Sequence, residues 1–367
     1  MLYSRLIRPV LFRLDAEFAH AATLRACRIL GSAPLLPRVV SYFNEVAAPE
    51  LEITVAGLRF SNPLGLAAGW DKSGVALRML DHLGFGSYEI GSVSACASRG
   101  NPRPRLFRLP RDQAILVNYG LPNDGAEVVS ARLAKHRRHL PLGVNIVATN
   151  RGPHAAPQTL DELLEDYARS AALLHPHASY LTLNLSCPNA SGGKDVFAQP
   201  GNLRLLLQRL GELNLSLPVF LKVPPCEASR DQERWLTEAE PFEFVRGFQF
   251  NLPPGKPEGM RLETPARLWS GYPGAIAGPP VAPLINRCIA SLYRRMDRQR
   301  YIIIGAGGIR NAADAYLKFK LGATLIQIYT AMIYEGPGIV RRINLGLRDM
   351  LRQEGAASLR DVIGTGI

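Results

Sequence analysis

Eight short apolar runs, most of them separated by stretches of helical periodicity, constrain this chain more than any other feature. The runs are Leu64–Ala68, Ser87–Val93, Leu142–Val147, Tyr180–Ser186, Val219–Val223, Gly247–Leu252, Tyr301–Ala306 and Thr324–Thr330. Most are apolar nearly throughout, as parallel strands buried on both faces are. Amphipathic stretches such as Leu160–Leu174, Gly201–Leu213 and Asn311–Lys320 lie between them. This alternation, over roughly 300 residues, predicts an α/β fold of the (β/α)8 TIM barrel type. A doubly wound sheet is the competing architecture. Its dinucleotide fingerprint belongs in the first βα turn, where Gly65–Leu66–Ala67–Ala68–Gly69 lacks the G-x-G-x-x-G spacing.

Ahead of the alternation the pattern changes. Leu2, Leu6, Val10, Leu11, Leu14, Phe18, Leu24, Ile29 and Leu30 recur at helical spacing, with Arg5, Arg8, Arg13, Arg25 and Arg28 between them. Pro9 breaks or opens a helix, and Gly31 with Pro34 ends a second one. A segment rich in Leu, Pro and Tyr leads to the linker Ala47–Ala48–Pro49. Two units are therefore expected: a small N-terminal helical cap, residues 1–45, and a barrel, residues 46–367. Such basic, apolar helices either pack on the barrel or dock on a membrane surface.

Five cysteines, Cys27, Cys96, Cys187, Cys226 and Cys288, are scattered and never spaced C-x-x-C. That pattern opposes a disulfide framework and a zinc site, so no metal is expected and a cytoplasmic setting is the default. The formal net charge is +12, yet the basic residues are dispersed and no nucleic-acid recognition motif appears. No apolar run reaches the length of a membrane span, and arginines interrupt any signal-peptide core.

Barrel active sites gather at the C-terminal ends of the strands. Gly305–Ala306–Gly307–Gly308 and Tyr329–Thr330 end the seventh and eighth runs, the usual phosphate position, where glycines let backbone N–H groups approach an anion. Lys222 closes an otherwise apolar strand, where a buried lysine needs an anionic partner or must lose its proton; beside a reduced flavin it offsets negative charge. Asn118, Asn145, Asn184 and Asn251 fall at or near strand ends, with Asn189 just beyond. A carboxamide offers donors and acceptors that suit the alternating N–H and C=O groups of a pyrimidine or lactam ring. Cys187 sits immediately past the fourth run, in Asn184–Leu185–Ser186–Cys187–Pro188–Asn189.

Together these residues resemble the dihydroorotate dehydrogenase family over essentially the whole chain. The matching segments are 11–20, Asn62 to Lys72, Pro104 to Leu109, Asn184 to Asn189, Ile304 to Ile309 and Gln327–Ile328–Tyr329. The N-terminal string and Pro104–Arg105–Leu106–Phe107–Arg108–Leu109 look like the membrane-associated, quinone-using class, whose N-terminal helices form a tunnel mouth. The resemblance implies FMN held by Ala67, Ala68, Gly69, Ser92, Asn145, Asn184, Lys222, Gly278, Gly307, Gly308, Tyr329 and Thr330. It implies pyrimidine contacts from Lys72, Asn118, Asn184, Asn189 and Asn251, and a catalytic base at Cys187. The implied reaction takes a proton from C5 and a hydride from C6 of dihydroorotate, and the electrons then pass through FMN to quinone. Pyrimidine biosynthesis, and a peripheral position on the cytoplasmic side of a membrane through residues 1–45, follow from the same likeness.

The chain also departs from the pattern. The quinone class normally has serine where Cys187 stands. The family's Gly–Lys–Asn is replaced by Val147–Ala148–Thr149, its Thr–Asn–Thr–Thr by Phe250–Asn251–Leu252–Pro253, and its Ser–Gly by Ala277–Gly278. Ser94–Ala95–Cys96–Ala97 replaces its Thr–Pro–x–Pro. The alternative reading is therefore a related flavoenzyme acting on another cyclic amide or dihydropyrimidine in a specialised pathway. A flavin-binding scaffold without activity is a third, opposed by the retention of Lys222, Cys187 and the asparagine set.

Overall fold

A computed structural model describes residues 3–152, 154–186, 196–256 and 259–367. All eight expected runs form strands: β1 (Leu64–Leu66), β2 (Ser87–Val93), β3 (Leu142–Ile146), β4 (Tyr180–Asn184), β5 (Val219–Val223), β6 (Val245–Phe250), β7 (Ile302–Gly305) and β8 (Leu325–Ile328). They close into a parallel barrel in chain order, with β8 beside β1. Helices fill the connections: Leu160–Leu174 has the predicted bounds and begins in a capping box, Thr159 with Glu162. Asn202–Gly211 and Ala312–Lys320 lie within the other two expected stretches.

Inward residues stack in layers because side chains alternate along each strand. At the N-terminal end of the barrel, Tyr180, Phe220, Ile304 and Leu325 pack against Ile53 and Phe60. Those two belong to an antiparallel hairpin, Ile53–Val55 with Leu58–Phe60, which closes that end. Gly143 is required on β3 because a Cβ there would lie 2.2 Å from the Tyr180 ring. Above this layer the interior turns polar, with Glu89, Thr182, Gln249 and Gln327 all buried.

Besides the closing hairpin, sequence periodicity missed two more features. A three-stranded antiparallel sheet, Leu106–Leu109, Ala114–Val117 and Ala275–Ala277, combines residues some 160 apart in sequence. No α-helix separates Leu106–Leu109 from Ala114–Val117, so the strand–helix alternation that marks the barrel does not reveal the sheet. The segment after Pro34 is also more than a connector: Leu36–Asn44 is a third cap helix, with Pro37 in its first turn, where proline opens a helix rather than ending one.

The other cap helices are Arg8–Leu11, preceded by a wider turn at Tyr3–Ile7, and Ala16–Leu30, whose N-terminus is capped by Asp15 accepting from the Phe18 N–H at 2.9 Å. Polar bonds fix the cap to the barrel. Tyr3 donates to the Ile333 carbonyl at 2.7 Å and Arg8 to the Tyr334 carbonyl at 2.8 Å. Arg108 donates to the Leu11 and Leu14 carbonyls at 2.9 and 2.7 Å. Arg105, nearly buried, pairs with Glu17 at 2.7 Å, which holds the Glu17 carboxyl below the usual carboxylate range against the opposing effect of burial.

Candidate functional site

A cavity of about 480 Å³ opens at the C-terminal ends of the barrel strands. The strand-end residues Ala67, Ala68, Gly69, Ser92, Asn184, Lys222, Gly307, Gly308, Tyr329 and Thr330 line it, with Gly278 from the antiparallel sheet. Lys72 and Asn251 face it too. Cys187 and Asn189 lie outside the described residues.

The glycines at one end are forced. Gly278, Gly307 and Gly308 all have positive φ, and a Cβ on Gly308 would meet the Ala282 Cβ at 2.4 Å. Pro279–Val281 and the helix Ala282–Arg295 follow Gly278, and Thr330 opens the helix Thr330–Glu335. Backbone amides at these two chain turns suit a phosphate.

Lys72 is set by its own turn. The buried Asp71 carboxylate accepts from the backbone N–H groups of Val75 at 3.0 Å and Ala76 at 2.7 Å, while burial pushes its pKa up. Lys72 then reaches back, donating to the Gly69 carbonyl at 2.8 Å and lying 3.9 Å from the Tyr119 ring centre. Burial lowers its pKa to about 8, against the pull of Asp71 and Glu17. His20 of the cap stands edge-on to Trp70 in the same corner; burial, helped by Lys72, lowers it to about 3, so it is neutral at physiological pH.

One hydrogen-bonded network joins the polar residues of the barrel. Ser92 donates to the Asn145 carboxamide oxygen, and Asn145 donates to Glu89 at 2.9 Å. Asn184 donates to Ser92 at 3.0 Å, and Asn251 donates to Asn184 at 2.8 Å. Thr182 and Gln327 each donate to Glu89 at 3.0 Å, and Gln249 donates to Gln327 at 2.6 Å. Sequence reasoning named the asparagines and missed Glu89, Gln249 and Gln327. Their signal was a charged or amide residue at an inward position of an otherwise apolar strand.

Two expected residues sit elsewhere. Asn145 is fully buried beneath the lining, its carboxamide engaged by Ser92 and Glu89. Asn118 is off the cavity, its side-chain oxygen accepting from Asn101 at 3.0 Å. Ile115 and Val117 of the strand and Tyr119 just past it line the cavity, and Asn118 does not. The wall they form is apolar and continues through Leu252, Ala277 and Tyr334 to Phe12 and Ala16 of the cap. The cap thus packs against the residues that form the cavity's apolar wall.

Among the described residues no cluster of His, Cys, Asp and Glu could hold a metal ion, and no helix is long and apolar enough to cross a membrane. The family model for dihydroorotate dehydrogenase matches residues 50–351. The chain is 38% identical to the dihydroorotate dehydrogenase (quinone) of Roseiflexus castenholzii, over 99% of this chain and 96% of that protein. It is 37% identical to the protein of the same name from Mycobacterium sp. strain KMS, over 98% of each. Its structure resembles the ligand-free dihydroorotate dehydrogenase of Eimeria tenella, with a TM-score of 0.76 and 28% identity, over 90% of this chain and 98% of that one. Barrel, strand-end site and full-length similarity agree: the chain belongs to the dihydroorotate dehydrogenase family.

Proposed function

We propose that this protein oxidises dihydroorotate to orotate with FMN as cofactor and quinone as electron acceptor. The observation that carries the reading is a single cavity with an anion-suited glycine end, a lysine on its β5 side and an apolar wall against which the cap packs. The residues fit FMN. Backbone amides at Gly278, Gly307, Gly308 and Thr330 take the phosphate, while Lys222 offsets charge that develops on the ring. FMN supplies the hydride-accepting and electron-passing chemistry. Ser92, Asn184 and Asn251, already linked by hydrogen bonds, present a fixed polar edge to the ligands.

Lys72 binds the substrate carboxylate, Asn184, Asn251 and Asn189 contact its amide groups, and Cys187 removes the ring proton. The exposed face of the cap supports a peripheral position on a membrane. Phe18, Tyr42 and Phe43 are 61%, 83% and 65% exposed, with Arg13, Arg25, Arg28 and Arg38 exposed around them. Residues 1–45 act as this cap and 46–367 as the catalytic unit.

The second reading, another cyclic amide as substrate, is favoured by one observation: Val117 and Leu252 line the cavity while Asn118 does not. The purified protein should be yellow and release FMN, not FAD, on denaturation. Colourless protein that takes up no added FMN contradicts both readings.

A further inference from the structure

Gln249 occupies the middle of an aromatic stretch, Phe248–Gln249–Phe250, on β6. It is fully buried, borders the cavity, and its carboxamide oxygen has no hydrogen-bond partner. A buried acceptor without a donor is rare and costly, so the atom calls for a partner.

The network fixes which atom Gln249 presents. Glu89 already accepts from Asn145 at 2.9 Å and Thr182 at 3.0 Å, so it faces Gln327 as an acceptor. Gln327 must therefore turn its NH2 toward Glu89, as it does at 3.0 Å, leaving its oxygen facing Gln249. Gln249 must in turn direct its NH2 to that oxygen, as it does at 2.6 Å. Flipping either carboxamide sets oxygen against oxygen. The chain of donors from β6 through β8 to β2 thus holds the Gln249 oxygen as an obligatory acceptor.

We infer that Gln249 is a cofactor-recognition residue whose side-chain oxygen accepts a hydrogen bond from the N3–H group of the flavin ring. This rests on the FMN reading above. N3–H is the ring N–H donor of an oxidised flavin. Gln249 lies in register with Lys222; the negative charge of a reduced flavin, which Lys222 offsets, gathers at the N1–C2=O edge, and N3 adjoins C2. The contact selects the uracil-like edge of a flavin and orients the ring over the barrel.

The test compares FMN with N3-methyl-FMN, each reconstituted into the full-length chain, by equilibrium binding. Wild type should bind FMN at least roughly tenfold more tightly than the methylated analogue. In Gln249→Met, similar in length but lacking the acceptor, FMN should weaken and the preference should fall to about twofold or less. A Met variant that keeps the wild-type preference overturns the assignment. If that variant does not fold, wild-type protein loaded with 15N3-labelled FMN decides: the N3–H proton should exchange with water far more slowly than in free FMN. Exchange as fast as in the free cofactor overturns the contact alone. Failure to take up either flavin overturns the FMN reading and this contact with it.

Discussion

A thiol and an amine set the expected pH behaviour of the site. A general base contributes roughly 10²–10⁴ in rate when correctly placed. Cys187→Ala should slow flavin reduction by about that factor while FMN stays bound, and Cys187→Ser should be intermediate. Near-wild-type reduction in a folded, flavin-loaded Ala variant removes Cys187 as the base. Because the thiolate is the nucleophilic and basic form, the wild-type reduction rate should rise with pH through the thiol's titration. Lys72 works in the opposite sense. Its pKa is lowered to about 8, mainly by burial, so the ammonium form that pairs with a carboxylate is present below about 8 and lost above it. Substrate affinity should therefore fall as pH rises through about 8. Lys72→Met should weaken binding roughly tenfold or more and flatten that dependence. Affinity that stays constant across this range in wild type would show that Lys72 does not bear on the substrate. Strand ends made Lys72, Asn184 and Asn251 legible in the sequence. Asn118 lies just past the strand Ala114–Val117, where its side-chain oxygen accepts from Asn101, an arrangement that residue type alone does not reveal.

Among the elements, the barrel strands were readable as nearly continuous apolar runs and the major helices by their period. Leu160–Leu174 even begins with its capping signal, Thr159 and Glu162. The antiparallel sheet was not readable, since its Ala275–Ala277 strand pairs with Ala114–Val117 across a long stretch of chain. The helix Leu36–Asn44, with Pro37 in its first turn, was not readable from a segment rich in Leu, Pro and Tyr. These elements matter for function, because the sheet forms one wall of the cavity and Phe12 and Ala16 of the cap pack against that wall. Removing residues 1–45 should leave a barrel that binds FMN, reacts slowly with quinone and no longer associates with anionic vesicles. Equal quinone reduction by the truncated and full-length proteins would separate the cap from electron transfer. The deletion exposes Tyr119, Leu106 and Tyr334, which Phe12 and Ala16 now help to cover, so the truncated protein should also be less soluble.

At the scale of the whole molecule, a barrel closed in chain order brings residues from every third of the sequence to one mouth. Lys72 and Ser92, Asn184 and Lys222, and Gly307 to Thr330 meet there because all eight strands end on the same side. The same geometry supplies the network from Gln249 to Asn251 that braces the floor of the site. It also brings Val117 and Leu252 to the apolar wall. The most direct test is anaerobic stopped-flow mixing of the flavin-loaded protein with dihydroorotate, followed by addition of quinone. The flavin absorbance should bleach with substrate and return with quinone, producing orotate. A flavin that stays oxidised in the presence of dihydroorotate would contradict the proposed activity.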